Sequence, residues 1–200
     1  MWYGDGLQPL SEGGKLPSYY SQMLDSLWMD HLEESYASTE ELEASWNGAE
    51  ALGDTLFSDG FEEGLSDRWN LELQGTAAGT ATLSNDAATG NYAVKVDITQ
   101  GSDVSWHIQF KLTGLTVKKD SIYEVHFRAK AAAPGEFNVT WQMNTSPYTW
   151  YQGKYPTLST EYQDFKYTFR APEDVNGTLR ISFSLKSMVG TFYLDDIVWK

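Results

Sequence analysis

Nine short strand-like segments follow one another after residue 54, and they constrain the fold of this chain more than any other feature. They run Trp69–Gln74, Gly79–Leu83, Tyr92–Ile98, Val104–Leu112, Ile122–Lys130, Phe137–Asn144, Tyr162–Arg170, Leu179–Leu185 and Phe192–Trp199. Turn signals punctuate them at Ala87–Asn91, Thr113-Gly114, Pro134-Gly135 and Val175-Asn176-Gly177. Many short strands with such punctuation predict an antiparallel β-sandwich or barrel. Side chains alternate across a strand, so each segment sorts its residues onto two faces. Phe165, Tyr167 and Phe169 share one face, as do Leu179, Ile181, Phe183 and Leu185, and these are core rows. The opposite faces carry Arg180, Ser182, Ser184 and Lys186 on one segment, and Asn138, Thr140, Gln142 and Asn144 on another.

Before residue 54 the pattern changes from strand to helix. Tyr20, Leu24, Leu27, Trp28, His31 and Leu32 recur at helical spacing, which predicts an amphipathic helix over 18–36. Ser38-Thr39-Glu40-Glu41 has the form of a capping box for a second helix bearing Leu42 and Trp46, stopped at Asn47-Gly48. This gives a division into a helical segment, 1–54, and a β part, 55–200. The helical stripe needs a cover: it docks on the β part or pairs with another copy of the chain.

Fourteen basic against twenty-eight acidic residues give a net charge of −14. That excludes nucleic acid and anionic membranes as partners, because both need clustered Lys and Arg. The chain has no cysteine, so no disulfide framework. Its opening residues lack the basic start and apolar middle of a secretory leader. His31, His107 and His126 lie on different segments without ligand spacing, which argues against zinc. No Gly-x-Ser-x-Gly occurs, and adjacent acidic pairs such as Glu62-Glu63 arise readily among so many carboxylates.

The segment Val104–Lys111 offers the first chemical lead. Ile108, Phe110 and Leu112 alternate with His107, Gln109 and Lys111, and Trp106 stands at the head among Ser105 and Asp103. A flat aromatic face beside an amide suits a sugar ring, which has an apolar face and a hydroxyl rim. The stretch Thr145-Ser146-Pro147-Tyr148-Thr149-Trp150-Tyr151-Gln152 reads as a loop presenting three aromatics next to the polar rows. Trp141 falls on the apolar face of its segment and is assigned to the core.

These residues resemble a family. Phe57-Ser58-Asp59-Gly60-Phe61-Glu62-Glu63-Gly64 with Trp69, then Ala93-Val94-Lys95-Val96, Trp106-His107-Ile108-Gln109, Tyr123–Lys130 and Tyr193-Leu194-Asp195-Asp196-Ile197 resemble carbohydrate-binding modules of the family 4, 9 and 22 group. The resemblance covers roughly residues 55–200. It implies a mainly β jelly-roll sandwich whose concave sheet binds a single polysaccharide chain, β-1,4-linked glucan or xylan in type, without catalysis. It implies Trp106, Tyr148, Trp150 and Tyr151 as stacking aromatics and Gln109 as a polar contact; Gln142 and Arg180, each opposite its strand's apolar row, are expected to line the same face. It also implies a structural calcium held by the Gly60 carbonyl, Glu62 and Asp195, oxygen donors that suit the ion. Whether Asp195 or its neighbour Asp196 faces the ion is open at this point, as is the reading of that pair as two solvent-facing carboxylates.

The first segment resembles something else. Trp2-Tyr3-Gly4-Asp5-Gly6, Tyr19–Leu32 and Tyr36–Trp46 are similar to a stretch of barrel-type glycoside hydrolases that follows an Asn-Glu acid/base pair. No Asn-Glu dipeptide occurs here. The resemblance implies a hydrolase covalently linked to the binding part, and an extracellular setting on plant cell-wall polysaccharide. The alternative is a hydrolase in which the sandwich is a structural or protein-interaction module.

Overall fold

The computed structural model describes residues 18–36, 53–186 and 189–200. The chain divides into two units, Met1–Ala51 and Leu52–Lys200. In the first, helix α1 spans Ser18–Ser35. Leu24, Leu27 and Trp28 are each about half exposed on it. The expected second helix lies outside the described residues. Among the described residues nothing supports the pairing of copies through α1.

Among the described residues the second unit holds thirteen strands: β1 (Phe57–Asp59), β2 (Trp69–Leu73), β3 (Ala78–Ser84), β4 (Ala93–Gln100), β5 (Ile108–Val117), β6 (Ile122–Ala131), β7 (Gly135–Glu136), β8 (Asn138–Met143), β9 (Trp150–Lys154), β10 (Thr157–Leu158), β11 (Gln163–Arg170), β12 (Val175–Ser184) and β13 (Gly190–Trp199). One sheet has the order β11-β6-β13-β4-β3, with β1 paired to β13. A second has the order β2-β5-β12-β8-β9, and β10 pairs with β7. The long ladders are antiparallel throughout. Non-consecutive neighbours such as β5-β12-β8 show that the chain crosses between sheets, which makes the unit a β-sandwich.

The core lies where the two apolar faces meet. Phe183 on β12 meets Phe127 on β6 edge-on at 5.2 Å, and Phe137 meets Phe192 on β13 at 5.1 Å. Trp69 on β2 stacks on Phe110 at 4.9 Å and donates through its Nε1 to Asp59 Oδ2 at 2.8 Å. Trp141 is fully buried and stacks on Phe169 at 5.9 Å, as expected from its place in the apolar row.

The strand boundaries differ from expectation where local signals misled. Thr113-Gly114 and Val175-Asn176-Gly177 read as turns, yet β5 and β12 run through them. Gly114 (φ 76) and Gly177 (φ 69) adopt the left-handed backbone that glycine allows, and the β12 register shifts between Val175 and Ile181. The irregularity is therefore absorbed inside the ladder as bulging rather than ending the strands. In the other direction, Val104–His107 is not strand: Ser105–His107 forms a 3₁₀ turn and β5 starts at Ile108. The supposed loop 145–152 already enters β9 at Trp150.

Candidate carbohydrate-binding groove

Five-stranded pairing lines up the polar rows on the face turned away from the core. Arg180 lies opposite Gln142, Ser182 opposite both Thr140 and Lys111, and Gln109 opposite Glu72. Cross-strand partners point to the same side of a sheet, so these residues form one floor. The floor is nearly closed to water: Gln109, Lys111, Arg180, Ser182 and Ser184 are all buried. Above it stand four aromatics in the open, Trp106, Tyr148, Trp150 and Tyr155, each between 54% and 56% exposed. Apolar rings clustered in solvent over a sealed polar floor mark a binding surface.

Two adjoining cavities make up the groove. One, ≈ 170 Å³, is bordered by Trp106, Trp150 and Tyr155 over Gln109, Thr140 and Ser182. The other, ≈ 580 Å³, is bordered by Trp106 and Tyr148 over Glu72, Lys111 and Arg180. Trp106 and Gln142 border both, so the two are continuous.

Two of the aromatics, Trp106 and Tyr148, are held by the floor. Gln109 Nε2 donates to the Trp106 carbonyl at 2.7 Å, fixing the turn that raises the indole, and the His107 ring meets that indole edge-on at 4.4 Å. Gln142 Nε2 donates to the Tyr148 carbonyl at 2.7 Å, and its Oε1 accepts from Arg180 Nη2 at 2.8 Å. The two amides expected to touch a ligand thus act first as supports for the rings. Beside them, Lys111 pairs with Glu72, and Gln74 donates to the same carboxylate. Burial pushes the Glu72 carboxyl up. The Lys111 and Gln74 hydrogen bonds and the charges of Lys111 and Arg180 outweigh it and hold Glu72 below the usual carboxylate range.

The fold is shared with known proteins. A family model described as a carbohydrate-binding domain (CBM_4_9) matches residues 53–188. The chain belongs to that family. Its module is similar to a solved structure described as "CBM4 structure and function", at 26% identity and TM-score 0.54, covering 66% of this chain and 85% of that one. It is also similar to the xylan-binding CBM22-1 domain of a Paenibacillus barcinonensis protein, at 17% identity and TM-score 0.57, covering 74% and 95%. A third similar structure is a Clostridium thermocellum xylanase, CBM22-1 and GH10 modules complexed with xylohexaose, at 16% identity and TM-score 0.56, covering 74% and 29%. No curated protein sequence matches the chain.

The module corrects one expected contact. Tyr151 follows Trp150 on β9 but turns inward: its ring lies 6.2 Å from Phe169 and its hydroxyl donates to Glu173 Oε1 at 2.5 Å. Burial, then Glu173, pushes its phenol up to about 12. A bulge in β9 explains this: Trp150 pairs with Gln142 on the groove side, Gln152 pairs with the buried Trp141, and the extra residue between them, Tyr151, turns inward.

Glu72, Lys111 and Tyr155 are groove residues that the sequence reading passed over. Lys111 was legible as the next polar position after Gln109. Glu72 requires the β2–β5 register, and Tyr155 requires knowing that Gly153 lies beneath it. A Cβ built on Gly153 would stand 2.5 Å from the Tyr155 hydroxyl and 3.1 Å from Trp150 Cζ2. Gly153→Ala is therefore expected to displace both rings and weaken polysaccharide binding several-fold. Its melting temperature should fall by no more than a few degrees, as for substitutions away from the core. Calorimetric titration beside a thermal scan checks this, and unchanged affinity would remove the Trp150–Tyr155 wall from the site.

Of the expected calcium ligands, Glu62 and Asp195 each bond the loop 88–92, while Gly60 lies beside Asp196; among the described residues no group of three His, Cys, Asp or Glu could hold a metal ion. Glu62 Oε1 accepts from the Asn91 and Tyr92 amides at 2.8 and 2.9 Å, and Oε2 from Asn91 Nδ2 at 3.1 Å. The Tyr92 amide, then Asn91, holds the Glu62 carboxyl below its usual range. Asp195 is fully buried; its Oδ2 accepts from Ala88 and Thr89 at 2.8 and 3.2 Å, and its Oδ1 from Asp196. The β13 register shifts just after Asp195, and Asp196 sits at φ 50. That bulge turns Asp195 inward and leaves Asp196 outside, bonded to Thr89 Oγ1. Burial pushes the Asp195 carboxyl up despite these amides. A carboxylate offers about four lone pairs, so Glu62 Oε2 and Asp195 Oδ1 each keep one.

Proposed function

We propose that this module holds one chain of a β-1,4-linked glucan or xylan in the groove, without catalysis. It thereby directs an attached glycoside hydrolase to plant cell-wall polysaccharide outside the cell. The observation that supports this most is the row of exposed rings over a sealed polar floor. Ring faces of Trp106, Tyr148 and Trp150 offer apolar area to sugar rings, at ~25 cal/mol per Å² buried. Polar floor groups add net ~0.5–1.5 kcal/mol per hydrogen bond and set orientation. Among the described residues bordering the groove, Glu72 is the one carboxylate, and it is engaged by Lys111; glycoside hydrolysis commonly uses two. A module of the same fold from Paenibacillus barcinonensis binds xylan, and one from Clostridium thermocellum is joined to a GH10 module. The first segment's likeness to barrel hydrolases accords with such a linkage.

Isothermal titration with xylohexaose and cellohexaose, alongside an assay for released reducing ends, tests the proposal. Binding of one or both without new reducing ends is expected. Absence of binding to every oligosaccharide tried, with the protein folded, would favour a structural or protein-interaction role instead.

Calcium is part of the same proposal. Gly60, Glu62 and Asp195 would hold it, and the ion would offset the buried Asp195 charge while tying the start of the module to its last strand. A ligand that binds only the folded state at a hundred times its Kd stabilises by about 2.7 kcal/mol. For a unit of this size EDTA should then lower Tm by about 5–10 °C, and added calcium should restore it. Superimposable scans with and without EDTA would remove the ion from this account.

A further inference from the structure

The floor of the larger cavity is charged opposite to the molecule as a whole. Lys111 and Arg180, 6% and 4% exposed, face a single carboxylate, Glu72. That is +2 − 1 = +1 at the floor of a chain with formal net charge −14. Nearly buried cations are costly to keep unless something compensates them, and a floor that met only neutral hydroxyls would have no use for a second one.

The hydrogen-bond count points the same way. An ammonium carries three N–H donors and a guanidinium five. Lys111 uses one on Glu72 and reaches Asn144 Oδ1 at 3.4 Å. Arg180 gives Nη1 to that same Asn144 oxygen at 3.2 Å and Nη2 to Gln142 Oε1, while its Nε is buried without a partner. One amide oxygen therefore serves both cations, and the nearby Tyr148 carbonyl is already taken by Gln142. Donors outnumber acceptors on this floor, so an occupant that brings acceptors finds N–H groups to meet them. Trp106 and Tyr148 stand over the same cavity and offer ring faces to the sugar that brings them.

We propose that this end of the groove receives a hexuronic acid unit, its carboxylate set against Arg180 and Lys111, within or branching from the bound polysaccharide. This rests on the polysaccharide-binding reading above. A carboxylate turns neutral hydrogen bonds into charge-assisted ones, about twice as strong, and suits the planar fork of arginine. Exposed charges farther than the ~8 Å screening length of physiological salt act only weakly on the cavity. The preference should therefore appear in affinity rather than in the rate of encounter.

Matched ligands test it on the intact chain. One pair is a xylo-oligosaccharide bearing a single glucuronic acid branch and the same oligosaccharide after carboxyl reduction. The other is a cello-oligosaccharide oxidised at C6 and its reduced counterpart. Calorimetry at neutral pH should give at least one acidic member about tenfold tighter binding than its reduced partner. Arg180→Gln and Lys111→Gln should bring the two affinities of that pair together. Equal affinity of wild-type protein for both members of each pair overturns the uronate proposal while leaving polysaccharide binding in place. No binding of any member overturns both. The wild-type comparison decides the matter even if a variant fails to fold.

Discussion

Trp106→Ala is expected to remove most of the module's affinity for polysaccharide and almost none of its stability. The indole is 55% exposed, borders both cavities and meets the ring of His107 edge-on. A sugar stacked on one indole face hides on the order of 100 Å² of apolar surface, worth about 2–3 kcal/mol at ~25 cal/mol per Å². Its loss corresponds to a roughly 30- to 150-fold weaker Kd. Exposed side chains outside the core usually change folding free energy by less than about 0.5 kcal/mol, so Tm should move by about 2 °C or less. Affinity electrophoresis with a thermal scan measures both. A large fall in Tm would make Trp106 a structural residue, and undiminished retention would place the sugar elsewhere.

Period-two alternation made much of the sandwich legible. Phe165/Phe169, Ile181/Phe183 and Ile108/Phe110/Leu112 needed no more than their spacing to be assigned inward, and Trp141 followed from its row. Strand ends were another matter. A glycine that ends one strand bulges another, and only the partner decides which. At Gly177 the hydroxyl of Thr116, across the ladder, accepts the glycine amide at 2.9 Å and keeps the strand paired.

The site was legible in its exposed parts and illegible in its supports. Trp106, Tyr148 and Trp150 announce themselves as aromatics among small polar residues. Tyr151 looks identical in sequence, and a bulge inside a stretch taken for a loop turns it toward the core. Glu72 lies 39 positions from Lys111 in the chain, a separation at which no spacing rule operates, so the charged floor had to await the register of β2 on β5.

That floor yields the second large effect. Glu72→Ala should destabilise the module markedly, because it leaves Lys111 and Arg180 buried together and sharing Asn144 Oδ1. Breaking a buried pair by removing one partner costs about 3–5 kcal/mol. The Glu72 side chain keeps 27% of its exposure, so a loss nearer 2–3 kcal/mol is expected, or about 5–10 °C in Tm. Replacing both partners, as Glu72→Met with Lys111→Met, should recover part of that loss, since it removes a charge of each sign. The same carboxylate sets a pH dependence. Its folded pKa lies below the ordinary value of 4.5, so its contribution is present above that value and drains away as pH falls through the folded one. Between about pH 5 and pH 3 the wild-type Tm should therefore drop more steeply than that of Glu72→Gln. Parallel acid slopes, together with an unchanged Tm in Glu72→Ala, would mean that Lys111 and Arg180 are solvated well enough to need no anion beside them.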